Sequence, residues 1–495
     1  MKMHLFKNNF LLLLLSSFLM GLSQHPLGLG FLSWFGLVPF IYVFYNIKIY
    51  RQNISYSLFW GFSYHIIVVF WLAFNIGAPL FSSVVSMFLT VIVLTFNTVM
   101  IGVLWHIIRV PFKKIFFLPF IWCAVEYSRS FGVLGFPWVS IANSQTDYFY
   151  LIQNSEIFGI YGISFWLVLV NVFIYLLIFD KNKFYLKFSF LFLVPFISGY
   201  FLYTSLEENV VDDYKVSIIQ PNIDLIKKRD FNSRYENLDN LIEESKECIT
   251  EGSNLIIWPE SALSYNSLQD SKILNYIIYN LLDNTDVYLL TGNVIYENGK
   301  SFNSSVLINK DGIVDIYHKR QLVPVAEYVP LSNKISKLKT LNLGQANFSM
   351  GERDLLFNVK GEKFPALICF ESTFPNINRR HAQLGADFIT YLVNDGWYTT
   401  PPEPQQHMKQ SIYRAIENRK TVLRCANTGI SAIIDPSGEV RSETELNKKA
   451  KITTFIKKGN RVTFYTYYGN VFAIIVLIIT LGFTLLTIYR NVKES

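Results

Sequence analysis

The chain has 495 residues, a formal net charge of +7 and 51% apolar residues, with aromatic residues making up 16%. That length exceeds one ordinary hydrophobic core, so at least two structural units are expected, and so apolar a composition excludes an ordinary soluble protein. The modest positive charge carries no nucleic-acid footprint; four widely spaced cysteines form no CxxC or metal-ligand pattern, and no nucleotide, metal or acyl-CoA motif implies a cofactor.

Apolar residues are concentrated in residues 1–205 and again near 468–489, with ordinary globular composition between. A membrane span needs roughly 20 mostly apolar residues. Candidates are 9–24, 28–46, 55–76, 81–107, 113–128, 161–179, 186–204 and 468–489. The first, with Lys2 and Lys7 before a Leu-rich stretch, has the flavour of a signal peptide. No small-residue cleavage site follows, and Gln24-His25-Pro26 leads into another apolar run, so it reads as a span. The fifth is the weakest, because it carries Glu126 and ends in a polar segment. Cys123, inside it, reads as a small packing residue.

Lys and Arg fall in alternate short loops: Lys48 and Arg51, then Arg109, Lys113 and Lys114, then Lys181 and Lys183, then Arg490 and Lys493, with Arg129 the exception. The positive-inside rule then predicts a cytoplasmic N-terminus and places the polar region, entered after seven spans, outside the cytoplasm. The expected organisation is a seven-span bundle over 1–205, a soluble domain over 212–460, and a last helix with a cytoplasmic tail over 466–495.

In the soluble region, β-branched alternation predicts a strand over 214–220. Tyr235, Leu238, Leu241, Ile242, Cys248 and Ile249 recur at helical spacing, and Gly252 is placed to end that helix. A strand over 254–258 ends just before Glu260. A helix near 270–282 precedes strands at 286–296, 303–309, 313–318, 354–359 and 364–370, the last ending at Cys369. A helix near 376–384, a strand at 387–393, a helix at 404–419 and strands near 421–426 and 430–434 follow. Strands alternating with helices predict a layered α/β fold. Residues 331–349 lack periodicity and read equally as a flap, a membrane-touching arm or a solvated insertion.

Three strings carry chemistry: WPES (Trp258–Ser261), YHKRQLVPVAEYVP (Tyr317–Pro330) and LICFES (Leu367–Ser372). They offer a carboxylate (Glu260), an amine (Lys319) and a thiol (Cys369). A thiol attacks poorly while protonated; a carboxylate takes its proton, and an ammonium stabilises the oxyanion formed on a carbonyl. The set suits acyl transfer through a thioester. Trp258 and Pro259 restrict the backbone and give Glu260 apolar walls. On position alone, His318, Lys319 and Arg320 stand equal. Glu327 is placed to hold a cation beside it, and Glu371 to position an incoming amine, or each to form a structural ion pair. The backbone N–H of Phe370 is the second oxyanion donor. Cys425 is the rival thiol but lacks an adjacent acid, and Cys248 lies on an apolar helix face. His381 and His407 read as helix-surface or capping groups. A Cys248–Cys425 disulfide has no support in the sequence.

These strings, in this order, resemble the Glu-Lys-Cys set of the nitrilase (carbon–nitrogen hydrolase) superfamily. Lys followed by LVP and EYVP resembles its membrane-embedded branch, the apolipoprotein N-acyltransferases. IIWPESAL at 256–263, VNDGW at 393–397, RCANTGISAIIDPSG at 424–438, GVLGFPW at 132–138 and FGIYGISF at 158–165 extend the resemblance over most of the chain. It implies a multi-pass helical membrane bundle joined to a nitrilase-like αββα sandwich, selects Lys319 among its neighbours, and places a small core residue at Cys425. It further implies an enzyme of the bacterial inner membrane, monomeric, with its catalytic domain on the periplasmic face. That enzyme takes an acyl chain from a phospholipid and delivers it to the N-terminal amine of a diacylglyceryl-cysteine apolipoprotein. A membrane-anchored amidase acting on a small exported substrate is the alternative; it would need one anchor, not seven spans. The chain departs from the family at Phe370, where Tyr is frequent, and at Lys228–Phe231, where Trp is frequent. The aromatic residues of GFPW read equally as interface anchors or as part of a lipid portal.

Overall fold

The computed structural model describes residues 8–180, 183–224, 234–263, 267–329, 347–398, 401–459 and 461–494. Most of the 331–349 loop and the Lys228–Phe231 segment lie outside the described residues. The chain divides into two compact units. One comprises Met1–Ala73, Val84–Ser205 and Tyr468–Ser495; the other comprises Phe74–Ser83 and Leu206–Tyr467.

The first unit is helical. Among the described residues four helices, Tyr50–Phe74, Leu80–Ile107, Ser155–Asp180 and Val471–Lys493, are long and apolar enough to cross a membrane. They coincide with four of the eight expected spans. The other four apolar stretches are shorter or broken, and proline explains three of them. Pro39, Pro119 and Pro195 each stand at the first turn of a helix, starting Val38–Asn46, Leu118–Ser128 and Val194–Thr204. A proline there has no N–H to lose, but it cannot continue a helix arriving from before it. The residues preceding Pro119 and Pro195 form 3-10 turns, Lys114–Phe117 and Lys183–Phe192. Asn9–Leu22 has 14 residues, capped by the Asn8 side chain accepting from the Phe10 and Leu11 N–H groups.

Glu126, the residue that weakens the fifth span on paper, is buried and satisfied. It accepts from Ser140 Oγ at 2.7 Å, Ser164 Oγ at 2.6 Å, the Ile141 N–H at 3.0 Å and Trp122 Nε1 at 3.2 Å, with Arg129 Nη2 at 3.7 Å. These bonds hold Ser140 and Ile141, just after GFPW, and Ser164 of helix Ser155–Tyr175 to helix Leu118–Ser128. Trp138 of GFPW is buried and packs against Trp71 with ring centroids 5.2 Å apart, so it is a packing residue within its own unit and not an exposed anchor.

The second unit is built from two facing sheets. The strands are β1 (Glu208–Gln220), β2 (Leu255–Ile257), β3 (Tyr288–Glu297), β4 (Lys300–Asn309), β5 (Gly312–His318), β6 (Phe357–Val359), β7 (Glu362–Phe364), β8 (Ala366–Ile368), β9 (Phe388–Val393), β10 (Thr421–Ala426), β11 (Ala432–Ile434), β12 (Val440–Glu443) and β13 (Ala450–Gly459). The six-stranded sheet runs β13-β1-β2-β3-β4-β5 and the five-stranded one β12-β11-β10-β9-β8, with β6 and β7 forming a small hairpin. β1, β2 and β3 are parallel, in register through Ile218, Ile257 and Leu290; β4 and β5 follow antiparallel. β8, β9 and β10 are parallel as well. The sheets meet face to face, where Ser305 Oγ of β4 donates to the Ala366 carbonyl of β8 at 2.7 Å.

Helix Arg234–Thr250 covers the first sheet by burying Leu238, Leu241, Ile242 and Cys248 against Ile256 and Trp258, as its 3.6-residue period requires. Helices Pro375–Gln383 and Glu403–Asn418 cover the second. The layers are therefore helix, sheet, sheet, helix. The sequence expectations missed β12 and β13 and merged β7 and β8 into one strand over 364–370. β13 is an edge strand paired antiparallel with β1, and its Lys451, Lys457 and Lys458 hide the apolar alternation while protecting the edge. All four cysteines are free. Phe74–Ser83, between two of the long helices, packs into this unit: Asn75 Nδ2 donates to Tyr398 Oη at 2.9 Å and the Ile76 N–H to the Trp397 carbonyl at 3.1 Å.

Candidate active site

Parallel strands present their carboxyl ends on one edge of a sheet, where side chains of different strands converge. β2 and β5 run the same way, so Glu260 and Lys319, which follow them, stand at the same end of the first sheet. Cys369 follows β8 and Asp395 follows β9 in the second sheet. Glu260 is held by close backbone packing as much as by its own bonds. The Trp258 N–H donates to Leu290 and the Gly292 N–H to Pro259, at 2.8 and 3.2 Å. A Cβ on Gly292 would come within 2.7 Å of the Glu260 Cα, so only glycine lets β3 approach this closely.

Lys319 is 1% exposed and sits between two carboxylates, with Nζ donating to Glu327 Oε1 at 2.8 Å and lying 3.8 Å from Glu260 Oε1. Asn303 Nδ2 bridges the same two oxygens, at 3.0 Å from Glu327 and 2.7 Å from Glu260. The Lys319 N–H donates to the Asn303 carbonyl at 2.8 Å, so one β4 residue sets both the lysine backbone and its partners. Burial works to lower the Lys319 ammonium; the carboxylates of Glu327 and then Glu260 outweigh it and hold Lys319 above its ordinary value. Glu327 reaches back by a tight turn. Val325 takes φ +69°, a region β-branched residues rarely occupy, and its N–H donates to Tyr328 at 2.7 Å, while the Val323 N–H donates to Glu327 Oε2 at 2.8 Å.

Cys369 has φ +50° at the strand-to-helix elbow, another strained position. Its side chain is half-buried, and burial pushes the thiol well above its ordinary value. The Glu260 carboxylate pushes further the same way, and Lys319 opposes both. The resting sulfur is therefore a thiol, and a base must take its proton during attack. Tyr398 stands within electrostatic reach of Cys369. Phe370, next in chain, is buried.

Glu371 points elsewhere. It accepts from Tyr317 Oη and the Arg320 N–H at 2.8 Å and the Gln321 N–H at 3.1 Å on one oxygen, and from the Ile368 N–H at 2.8 Å on the other. The carboxylate thus ties the cysteine elbow to the turn that carries Lys319. Cys425 is buried in the second sheet, donating to the Ile219 and Ile257 carbonyls at 3.4 Å, a packing role.

The expectation of surface positions for His381 and His407 is corrected: both are buried. His381 Nδ1 faces the Ile377 carbonyl at 2.9 Å, and burial lowers its pKa to about 4. His407 Nδ1 lies 2.8 Å from Asp395 Oδ1, and its Nε2 lies 3.2 Å from the Cys369 carbonyl. The signal was present in VNDGW and RCANTG, which set Asp395 just after β9 and Arg424 within β10, yet a lone histidine on an amphipathic helix gave no hint of joining them. A cavity of about 300 Å³ lined by Glu297, Lys300, His318 and Arg353 includes none of Glu260, Lys319 or Cys369.

Facing α/β sheets with glutamate, lysine and cysteine at converging strand ends define a carbon–nitrogen hydrolase unit, and the Carbon-nitrogen hydrolase family model matches residues 215–458. The model for the apolipoprotein N-acyltransferase N-terminal domain matches residues 16–173. Over 94% of this chain and 93% of the relative, it is 28% identical to an apolipoprotein N-acyltransferase of Geobacter metallireducens. It is 33% identical to that of Rickettsia prowazekii over 72% of this chain and 73% of the relative. Among solved structures, an amidase from Nesterenkonia sp. is 16% identical over 50% of this chain and 92% of that one, with a TM-score of 0.38. The chain belongs to the apolipoprotein N-acyltransferase family. It is a bacterial membrane protein and an acyltransferase.

Proposed function

We propose that the protein transfers a fatty acyl chain from a membrane phospholipid to the α-amine of a diacylglyceryl-cysteine at the start of an apolipoprotein, with Cys369 as the acyl carrier. The carrying observation is Lys319 clasped by Glu327 and Glu260, with Cys369 near enough to feel both Glu260 and Lys319, in a chain whose other unit supplies membrane-length helices. Glu260 takes the thiol proton as sulfur attacks the ester carbonyl. Lys319 Nζ and the Phe370 N–H hold the oxyanion. Collapse breaks the ester C–O bond; the leaving lysophospholipid alkoxide receives the proton from Glu260, and Cys369 is left as a thioester. The amine then attacks, Glu260 takes its proton, and the thiolate leaves and is reprotonated. Glu327 keeps Lys319 charged and in place.

In this reading the protein is a multi-pass monomer of the inner membrane with the layered unit on the periplasmic side, which the alternation of basic loops supports. Both substrates are lipids, so a membrane site excludes water while the thioester waits. Incubation of the purified protein with phospholipid alone should add the mass of one acyl chain, labile to hydroxylamine and mapping to Cys369. A diacylglyceryl-cysteine peptide should then remove it. Cys369→Ala should form no adduct, while Cys248→Ala and Cys425→Ala still do. Product made with no acyl group on Cys369, or an adduct on Cys425, overturns the scheme.

A further inference from the structure

Behind the nucleophile runs a chain of buried groups that this scheme leaves unused. His407, 1% exposed on helix Glu403–Asn418, holds Nε2 2.9 Å from Ser372 Oγ and 3.2 Å from the Cys369 carbonyl oxygen. Ser372 Oγ donates to the same carbonyl at 2.8 Å. On the far side of the ring, Nδ1 lies 2.8 Å from Asp395 Oδ1, and Arg424 Nη2 donates to Asp395 Oδ2 at 2.7 Å. Two side chains thus meet the Cys369 carbonyl, Ser372 from its own turn and His407 from a distant helix, with Asp395 and Arg424 bracing the histidine. Space for the Asp395–Arg424 pair depends on Gly429, where a Cβ would stand 2.1 Å from Asp395 Oδ2.

The proton placement follows from the pairs. Arg424 and His407 keep Asp395 ionised against its burial, so Asp395 only accepts and Nδ1 carries a proton. Burial and the Arg424 charge hold His407 below the ordinary imidazole value, so the ring is neutral and Nε2 carries no proton. Ser372 Oγ–H is the donor to the Cys369 carbonyl, with Nε2 packed against both oxygens.

A trans peptide is planar, with its C=O and N–H pointing in opposite directions. Whatever fixes the Cys369 oxygen from behind therefore fixes the direction in which the Phe370 N–H points in front. The tether matters because a non-glycine residue at φ +50° sits about 1–2 kcal/mol above its preferred backbone region and relaxes when released.

We propose that His407, held by Asp395 and Arg424, is a positioning residue which fixes the Ser372 hydroxyl, and that this hydroxyl tethers the Cys369 carbonyl and so aims the Phe370 N–H at the oxyanion. The inference rests on Cys369 being the acyl carrier. The network also reaches the sulfur, which lies within 4.8 Å of the His407 ring and the Asp395 carboxylate, whose charge pushes the thiol up. Asp395 stays in both variants tested, and the inference assigns the effect of His407 and Ser372 to the carbonyl step.

Two electrophiles separate those effects on the full-length protein. Iodoacetamide alkylates sulfur by displacement and forms no oxyanion, whereas p-nitrophenyl butyrate and phospholipid both acylate through one. His407→Ala should slow acylation of Cys369 by about a hundredfold, the loss typical of one oxyanion donor, while alkylation stays within about threefold of wild type. His407→Gln, whose amide can accept from Ser372 and donate to the carbonyl, should recover most of the acylation rate. Ser372→Ala removes one hydroxyl and should give the same selectivity with a loss of about tenfold. It carries the test if His407→Ala fails to fold. Acylation and alkylation falling in parallel, or acylation unchanged in both variants, overturns the proposal. Wild-type protein that accepts acyl groups from p-nitrophenyl butyrate but never from phospholipid would reject the transferase reading while leaving this test intact.

Discussion

Glu126 of the helical unit and Glu260 of the layered unit are both buried carboxylates, and their surroundings are opposite. Four neutral donors converge on Glu126 and satisfy it from two hydroxyls, an indole and a backbone N–H, while its nearest cation, Arg129, stands off at 3.7 Å. At the other centre two carboxylates compete for one ammonium: Glu327 takes the close hydrogen bond at 2.8 Å, and Glu260 is left at 3.8 Å. A carboxylate saturated with neutral donors is a knot in the fold. One that senses a cation without owning it can exchange a proton with its neighbour.

Four measurements break or sharpen that contrast. Glu260→Gln should lower the rate of Cys369 acylation by about 10²–10⁴-fold, the usual worth of a positioned base. Because the Glu260 charge helps push the Cys369 thiol up, iodoacetamide alkylation should respond the other way. In wild type its rate should still be rising above pH 9, and in Glu260→Gln the rise should begin at lower pH. Alkylation that shifts to higher pH would show that Glu260 is not beside the sulfur. Lys319→Ala should cost about a hundredfold in acylation and also about 3–5 kcal/mol of stability, since it leaves two buried carboxylates without their cation. Calorimetry and single-turnover acylation read the two separately.

Glu126→Ala should show only the second kind of loss. Four donors left without an acceptor cost about 2–4 kcal/mol together, seen as a lowered melting temperature, while acylation per folded molecule is unchanged. A variant of normal stability with slow acylation would place Glu126 in the reaction. The smallest effect belongs to Asn303→Ala, which removes the amide bridging Glu260 and Glu327. A loss of about 1–2 kcal/mol in transition-state stabilisation, about tenfold in rate, is expected from one buried hydrogen bond to charged groups.

The reactive strings and the layered architecture were legible because each follows a local rule. A short β-branched run ends where a chemically marked residue begins, as at Ile257 and Ile368, and helix Arg234–Thr250 writes its buried face in its period. What stayed hidden was decided by partners distant in sequence. Asp395, His407 and Arg424 become one network only when β9, β10 and a helix are brought together, and no spacing in the chain records that. β13 was hidden by its lysines, which mark an edge and not a loop. Of the eight apolar stretches only four form long helices among the described residues, because hydropathy does not register that Pro39, Pro119 and Pro195 restart the backbone.

The ten residues Phe74–Ser83 belong by their packing to the layered unit although they are spelled between two apolar helices. Asn75 is the hydroxyl partner of Tyr398, and Ile76 pairs with the backbone of Trp397, in the same turn that begins at Asp395. That makes the reacting unit discontinuous in the gene. A fragment cut at 206 and 467 would carry Glu260, Lys319 and Cys369 and still lack a piece of its own wall. An exchange of either unit for that of a relative would therefore have to carry residues 74–83 across together with the Asp395–Tyr398 turn they pair with.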